Sequence, residues 1–362
     1  MLNENQKIFI GIDTHKDTYA VASCDEFGKV LCSSEFSTSK KGIQEILDWT
    51  LSQGEIQAVG IEGTGCYGKN IACKFQDMRV KVVEVNHSCK KTRWSKGKSD
   101  SLDAENAALT ARDFLLGGVR ENNASSAMDR TSDFENIRTI KTAYDGALKM
   151  RTQTTNQLKA ILTKARPEFR DEFSNIKGTR KLINKCASLR PDLRNVDDYC
   201  TKVALQKAAK RYLDLTVEIE DYKKILNKFA SEHLKSLLEL KQVGTISAIQ
   251  MFLSAGANPE RFKNEAAFAA HCGVSPIPAS SGKNCHMRLS RAGDRKANSA
   301  LYTIAIGRMG KDERTKAFVE KKLSEGKTKK DAIRCLKRYI CREVFTALKK
   351  DAKLFSKNPL TL

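Results

Sequence analysis

Two short apolar runs end in carboxylates, and this pair constrains the N-terminal fold more than any other feature of the chain. KIFIGID (7–13) closes on Asp13 and AVGIE (58–62) closes on Glu62. Runs of this length, rich in β-branched residues and apolar on both faces, read as buried strands. Around them the pattern alternates. TYAVASCD and KVLCSSEFS flank Glu26-Phe27-Gly28, a hairpin turn signal. Residues 40–53 carry Ile43, Ile46, Leu47 and Leu51 at helical spacing, residues 68–78 read as a second helix, and VKVVEVN (80–86) as another strand. A further helix begins near Ser99, capped by Ser99 or Ser101, and runs through an alanine-rich stretch to Phe114. Hairpin strands first, then alternating helix and strand, suit an α/β domain with a ribonuclease H-like mixed sheet.

The acids carry the chemistry. Asp13 and Glu62 end strands, while Asp100 and Asp103 stand at i and i+3 near a helix start and so share one face. Taken singly, each also reads as a surface acid or a helix cap. Hard cations such as Mg²⁺ or Mn²⁺ take oxygen ligands, and two such ions roughly 4 Å apart stabilise both attacking and leaving oxygens in phosphodiester chemistry. A competing motif overlaps this set. Gly63-Thr64-Gly65-Cys66-Tyr67-Gly68 fits G-x-G-x-x-G between a strand and a helix, with Glu84 near a ribose-binding position. Glu62 abuts that loop and would repel a pyrophosphate, which argues against a dinucleotide site.

The net charge of +21 is confined to one part of the chain. Residues 1–120 hold 16 Lys+Arg and 16 Asp+Glu, so residues 121–362 carry the whole surplus. Such a surplus attracts polyanions, and nucleic acid is favoured over an anionic membrane because no amphipathic anchor or long apolar span is present. The N-terminal MLNENQKIFIGID does not read as a secretory leader, and the 11 cysteines are scattered without a C-x-x-C pair. The expectation is a cytoplasmic protein with reduced, mostly buried thiols; His87 and Cys89 lack the further ligands a zinc site needs.

Beyond the first domain, apolar residues recur at intervals of three and four from Phe134 to Arg166, and again through Leu215, Ile219, Tyr222, Leu226 and Phe229. These are two long helices, either an antiparallel or intermolecular coiled coil or amphipathic helices packed on a neighbouring domain. Residues 167–200, punctuated by Pro167, Gly178 and Pro191, read as irregular. From Leu237 a helical domain begins: helix, glycine turn and helix in LLELKQVGTISAIQMFLSAG, a helix over 263–272, and a basic helix over 330–350 with Ile333, Leu336, Ile340, Val344 and Leu348 on one side. The division is therefore 1–120, 121–236 and 237–362.

Two basic segments stand out. Lys91, Arg93, Lys96 and Lys98 surround Trp94, a mixture suited to phosphate contact with base stacking, or simply a solvated loop around one tryptophan. In the C-terminal part, Ala279-Ser280-Ser281-Gly282 is a small polar loop among Lys283, Arg288, Arg291 and Arg295. Guanidinium forks hold phosphate and offset charge in a transition state, and a serine hydroxyl needs such help to attack.

FIGIDTHKDTYAVA, AVGIEGTG and KGKSDSLDAENAAL resemble the Asp, Glu, Asp, Asp motif of the RuvC-like insertion-sequence transposases related to the Piv DNA invertase. Pro276 to Arg295, with Ser-x-Gly followed by Arg-x-Gly, is similar to the C-terminal signature of the same family, although Gly282 to Arg291 is not glycine-rich and Val243 precedes Gly244 where proline is common. The resemblance spans nearly the whole chain. It implies that Asp13, Glu62, Asp100 and Asp103 bind Mg²⁺ or Mn²⁺, as two ions. It implies further that Ser280, or its neighbour Ser281, attacks DNA through a phosphoserine intermediate. A noncoding guide RNA pairs with donor and target DNA in such recombinases, which assemble as homodimers or homotetramers. Two other functions fit the residues: a junction-type endonuclease using only the carboxylates, and a noncatalytic nucleic-acid-binding protein.

Overall fold

The computed structural model describes residues 6–65, 67–85, 99–119, 124–127, 132–193, 196–278, 287–290 and 293–355. Clustering of contacts divides the chain into two compact units, Met1–Glu135 with Glu239–Val243 and Gln250–Leu362, and Asn136–Leu238 with Gly244–Ile249.

The first unit opens with the expected strands: β1 (Lys7–Thr14), β2 (Thr18–Asp25), β3 (Val30–Ser37), β4 (Glu55–Glu62) and β5 (Lys81–Val85). Helix α1 (Lys40–Gln53) follows β3, α2 (Lys69–Asp77) joins β4 to β5, and α3 (Asp100–Leu116) comes next. The sheet order is β3-β2-β1-β4-β5-β6, with β1, β4 and β5 parallel and the rest antiparallel. This is the ribonuclease H-like mixed sheet that the alternation predicts. Strand β6 (Ala124–Ser126) is an addition: three small residues, Ala-Ser-Ser, carry no strand propensity of their own and are recruited by the free edge of β5.

Alternation along β1 splits its side chains between two cores. Ile8, Ile10 and Ile12 join Val59, Ile61, Ile46, Ile71 and Phe75 on one face. Phe9 joins Ala58, Val83, Ala108 and Ala111 on the other, where α3 lies. The parallel register sets Phe9 beside Ala58, Gly11 beside Gly60, and Asp13 beside Glu62 on that second face. Glycines in the middle of this ladder have a steric purpose. A methyl at Gly11 would collide with the Ala104 carbonyl and the Ala108 amide, and one at Gly60 with the Ala107 carbonyl. The helix answers with Ala104, Ala107, Ala108 and Ala111, all fully buried. Backbone therefore meets backbone, and the start of α3 is held over the carboxylate end of the ladder.

The second unit holds most of two long helices, α4 (Ser132–Lys164, 33 residues) and α7 (Val196–His233, 38 residues). They run antiparallel: Tyr144 feels the charges of Lys223 and Glu220, Arg151 lies over the Tyr212 ring at 5.7 Å, and Leu158 and Leu162 meet Leu205, Ala208 and Ala209. Residues 167–200 are not irregular. Pro167 opens α5 (Pro167–Asp171) at a position that tolerates a missing N–H, and α6 (Thr179–Ala187) follows Gly178. Phe169, Phe173, Ile183 and Cys186 from this stretch close a small core with the ends of the long helices.

The C-terminal part contains α8 (Lys235–Leu238), α9 (Thr245–Ala255), α10 (Glu265–His271), the hairpin β7 (Pro276–Pro278) and β8 (Met287–Leu289), α11 (Arg295–Lys311), α12 (Glu313–Ser324) and α13 (Lys329–Phe355). All five apolar residues expected on one side of α13 are buried, and Phe268 stacks on Phe345 with centroids 5.1 Å apart. Among the described cysteines, Cys24, Cys186, Cys272 and Cys341 are buried and four others are at least partly exposed, all as free thiols. The proportion buried is half rather than most. No helix among the described residues is long and apolar enough to cross a membrane.

Gly11→Ala or Gly60→Ala should lower stability by about 3 kcal/mol or more, because the added methyl meets backbone that has no slack. Gly146→Ala, exposed in α4 with open space around it, should instead raise stability by about 0.5–1 kcal/mol. Urea midpoints of the three variants test the contrast.

Candidate active site

The carboxylates occupy the ends of three elements on one face of the sheet. Asp13 is one residue from the end of β1 and only 6% exposed; Glu62 ends β4 beside it and is half-buried. Thr14 Oγ1 donates to the Glu62 backbone carbonyl at 2.8 Å, tying the two strand ends together. Asp100 and Asp103 lie in the first turn of α3. Ser99, not Ser101, caps this helix, its hydroxyl accepting from the Leu102 amide at 3.3 Å. Acids in a first turn are favoured by the positive end of the helix dipole. Asp103 is 5% exposed and faces the sheet, whereas Asp100 is exposed.

The other three acids act on Asp13. Burial raises the Asp13 carboxyl above the ordinary aspartate range; His15 opposes that shift, and the charges of Glu62, Asp103 and Asp100 add to it. Three like charges bearing on one buried carboxylate are costly unless a cation joins them.

His15 extends the set beyond the four acids. Its Nε2 lies 3.3 Å from Asp13 Oδ2 and 3.1 Å from Asp100 Oδ2, and one ligand atom from each of the three residues falls within 4.8 Å of the others. Nε2 is buried, yet no partner meets it in hydrogen-bonding geometry. Protonated, His15 pairs with both carboxylates; neutral, its nitrogen stands with their oxygens where a shared cation would be coordinated. The donor set of oxygens with one imidazole fits a divalent cation such as Mn²⁺ or Mg²⁺. The sequence held a signal for this residue. Asp13-Thr14-His15 puts His15 at i+2, the same face of an extended chain as Asp13.

The overlapping glycine motif has a local structural explanation. Gly63 takes φ +79° to turn the chain, and the Gly68 amide donates to the Gly63 carbonyl at 3.3 Å. Glu84 pairs in register with Ile61, on the sheet face opposite Glu62.

In the C-terminal part, β7 and β8 pair as Pro276–Leu289, Ile277–Arg288 and Pro278–Met287. Ser280, Ser281 and Lys283 in the connecting loop lie outside the described residues, as do Arg291 and the segment with Lys91, Arg93, Trp94, Lys96 and Lys98. Arg288 on β8 and Arg295 at the start of α11 are exposed. The frame next to the loop is tightly specified. A methyl at Gly293 would overlap the backbone of Gly273, Asp294 caps α11 through the Lys296 and Ala297 amides, and Ser254 Oγ donates to Asp294 at 2.6 Å. Asn298 donates to the carbonyls of Cys272 (3.0 Å) and Gly273 (2.9 Å).

Two family models match the chain. A DEDD-type transposase model of the IS110 group covers residues 10–167, which include Asp13, Glu62, Asp100 and Asp103. The transposase IS116/IS110/IS902 family model covers residues 234–320, which include Ser280, Arg288, Arg291 and Arg295. Together the two spans take in more than half of the chain. No curated protein matches it.

Asp13→Asn should stabilise the protein in EDTA at neutral pH by roughly 2–4 °C, because a buried charge facing three others is removed. A raised carboxyl pKa costs stability as pH rises through it, so the gain should vanish as pH falls toward about 4, where aspartate protonates in either state. Thermal melts of both proteins across that range check the sign.

Proposed function

The chain belongs to the IS110 family of insertion-sequence transposases, and from that premise we propose that Asp13, Glu62, Asp100 and Asp103, with His15, hold divalent cations and that Ser280 is the nucleophile of DNA strand exchange. The observation that supports the metal reading is the convergence of Asp13, His15 and Asp100, whose ligand atoms lie within 4.8 Å of one another. When bound, Mg²⁺ or Mn²⁺, as two ions, polarises the scissile phosphate and offsets negative charge on its oxygens. The carboxylates fix the position of that charge, while α3 and the β1–β4 ladder keep them from spreading apart.

In the exchange, a Ser280 Oγ–P bond forms as the P–O bond to one deoxyribose breaks, and the serine proton ends on the liberated sugar hydroxyl. The phosphodiester energy is conserved in the phosphoserine. Reversal of the step with a second strand joins donor to target and frees the serine. Lys283, Arg288, Arg291 and Arg295 hold the phosphate and balance its transition-state charge. Lys91, Arg93, Lys96 and Lys98 track the backbone beside a stacking Trp94.

In this reading the metal-binding part spans 1–120, the connecting helices 121–236, and the serine-bearing part 237–362. A noncoding RNA of the element selects donor and target DNA, and the protein works as a homodimer or homotetramer in the cytoplasm.

Recombination between plasmids carrying the element's ends and its target, with denaturing gels to trap protein–DNA adducts, tests the mechanism. Asp13→Asn should reduce recombination by at least about 100-fold. Ser280→Ala should abolish both recombination and the adduct, with Ser281→Ala close to the parent. Cleavage undiminished in both serine variants would instead favour a junction-type endonuclease, and activity undiminished in Asp13→Asn a noncatalytic carboxylate cluster. The histidine has its own readout. His15→Ala should weaken Mn²⁺ binding by about tenfold or more and Mg²⁺ binding by less, since imidazole suits transition metals, as followed by Mn²⁺ paramagnetic resonance.

A further inference from the structure

A cavity of about 710 Å³ lies beside the β7–β8 hairpin. Its cationic side chains are Arg288 from β8, Lys322 and Lys327 at and just beyond the end of α12, and, from α13, Lys337 together with Arg334, Arg338 and Arg342, the three arginines spaced four apart along one helical stripe. The α12 and α13 walls lie beyond residue 320 and hence outside both matched spans.

Acids partly answer this charge. Glu265 bonds Arg338 and Arg342, Asp331 pairs with Arg334 at 2.8 Å, and Glu325 with Lys322 at 2.6 Å. Among the described residues no carboxylate pairs with Arg288 or Lys327, and Arg338 Nη1 is buried without a hydrogen-bond partner. Two cations thus remain for an anion from outside. Lys337, also in the wall, donates to Asn298 at 2.7 Å, and Asn298 in turn holds the carbonyls of Cys272 and Gly273. The cavity is therefore fixed to the same frame that carries the serine loop.

The lining also holds an aromatic ring. Tyr339 is half exposed, and its ring is braced edge-on by Phe318 with centroids 5.4 Å apart. A rigid aromatic among cations is the arrangement that single strands use, phosphate on the charges and a base on the ring. A concave site of this size admits a ligand of nucleotide dimensions, whereas a duplex keeps its bases stacked inside and offers such a site only its backbone.

We propose that this cavity seats one unpaired nucleotide of a single-stranded nucleic acid, its phosphate on Arg288 and Lys327 and its base on Tyr339. The inference rests on the reading of the chain as a nucleic-acid enzyme only for the class of ligand.

Binding of fluorescent oligothymidine and oligouridine by the full chain, carrying Asp13→Asn to suppress cutting, tests this by anisotropy over a range of KCl. Tyr339→Leu should weaken single-strand binding about tenfold with an unchanged salt slope, and Tyr339→Phe should restore it. Lys327→Gln should weaken binding and reduce the salt slope by about 0.7, the value of one phosphate contact on a single strand. Duplex of equal length should compete at least tenfold less well. Preference for oligothymidine or for oligouridine assigns the strand to DNA or RNA, and either supports the site. Parent-like binding by both Tyr339→Leu and Lys327→Gln, or equal competition by duplex, overturns it. Failure of the carboxylate reading shows separately, as cleavage that survives Asp13→Asn, and melting curves of each variant verify the fold.

Discussion

Backbone contact between α3 and the two central strands sets the geometry of everything that follows in the N-terminal part. Side chains at Gly11 and Gly60 would hold the helix off the sheet, and the alanines of α3 add little bulk of their own. With the helix seated this deeply, its first turn reaches the level of Asp13 and Glu62. The distance between acids is thus determined by steric contact rather than by the acids themselves, which at neutral pH repel. Packing supplies the force that electrostatics opposes, a division of labour common where a site must be ready before its ligand arrives.

Electrostatics then explains the composition of the site. Burial already raises the Asp13 carboxyl, and three neighbouring acids raise it further, with only His15 opposing. A cation would offset this imbalance more completely than a surface lysine could, because the ligand atoms of Asp13, His15 and Asp100 lie within 4.8 Å of one another. The C-terminal part shows the opposite sign. Its exposed arginines and its cavity are cationic, with acids committed to individual partners. The acids thus gather in the N-terminal part and the unpaired cations line the C-terminal cavity.

Much of this was legible in the residues. Strand ends at Asp13 and Glu62 and the capped start at Ser99 are local signals, and their convergence follows once the mixed sheet is assumed. What escaped was written in tertiary terms. Strand β6 exists because β5 has an open edge, not because Ala-Ser-Ser prefers extension. Pro167 and Gly178 looked like breaks, yet one starts a helix and the other precedes one. The early turns of α7 bury only Leu205, Ala208 and Ala209, two of them small, so the helix seemed to begin later. His15 lay in plain view, but its role depends on Asp100, which is 85 positions away and brought near only by the fold.

The parallel pairing of β1 with β4 also bears on how the molecule forms. Asp13 and Glu62 become neighbours only when a segment of nearly fifty residues has been closed into a crossover, whereas α6 and α7 gather partners from adjacent chain. Loop closure of that kind is slow relative to helix growth. The acidic ladder consequently belongs to the late steps of folding on the ribosome-released chain. Until then Asp13 and Glu62 stand apart from each other and from the Asp100–Asp103 pair, and no cation can be shared among them.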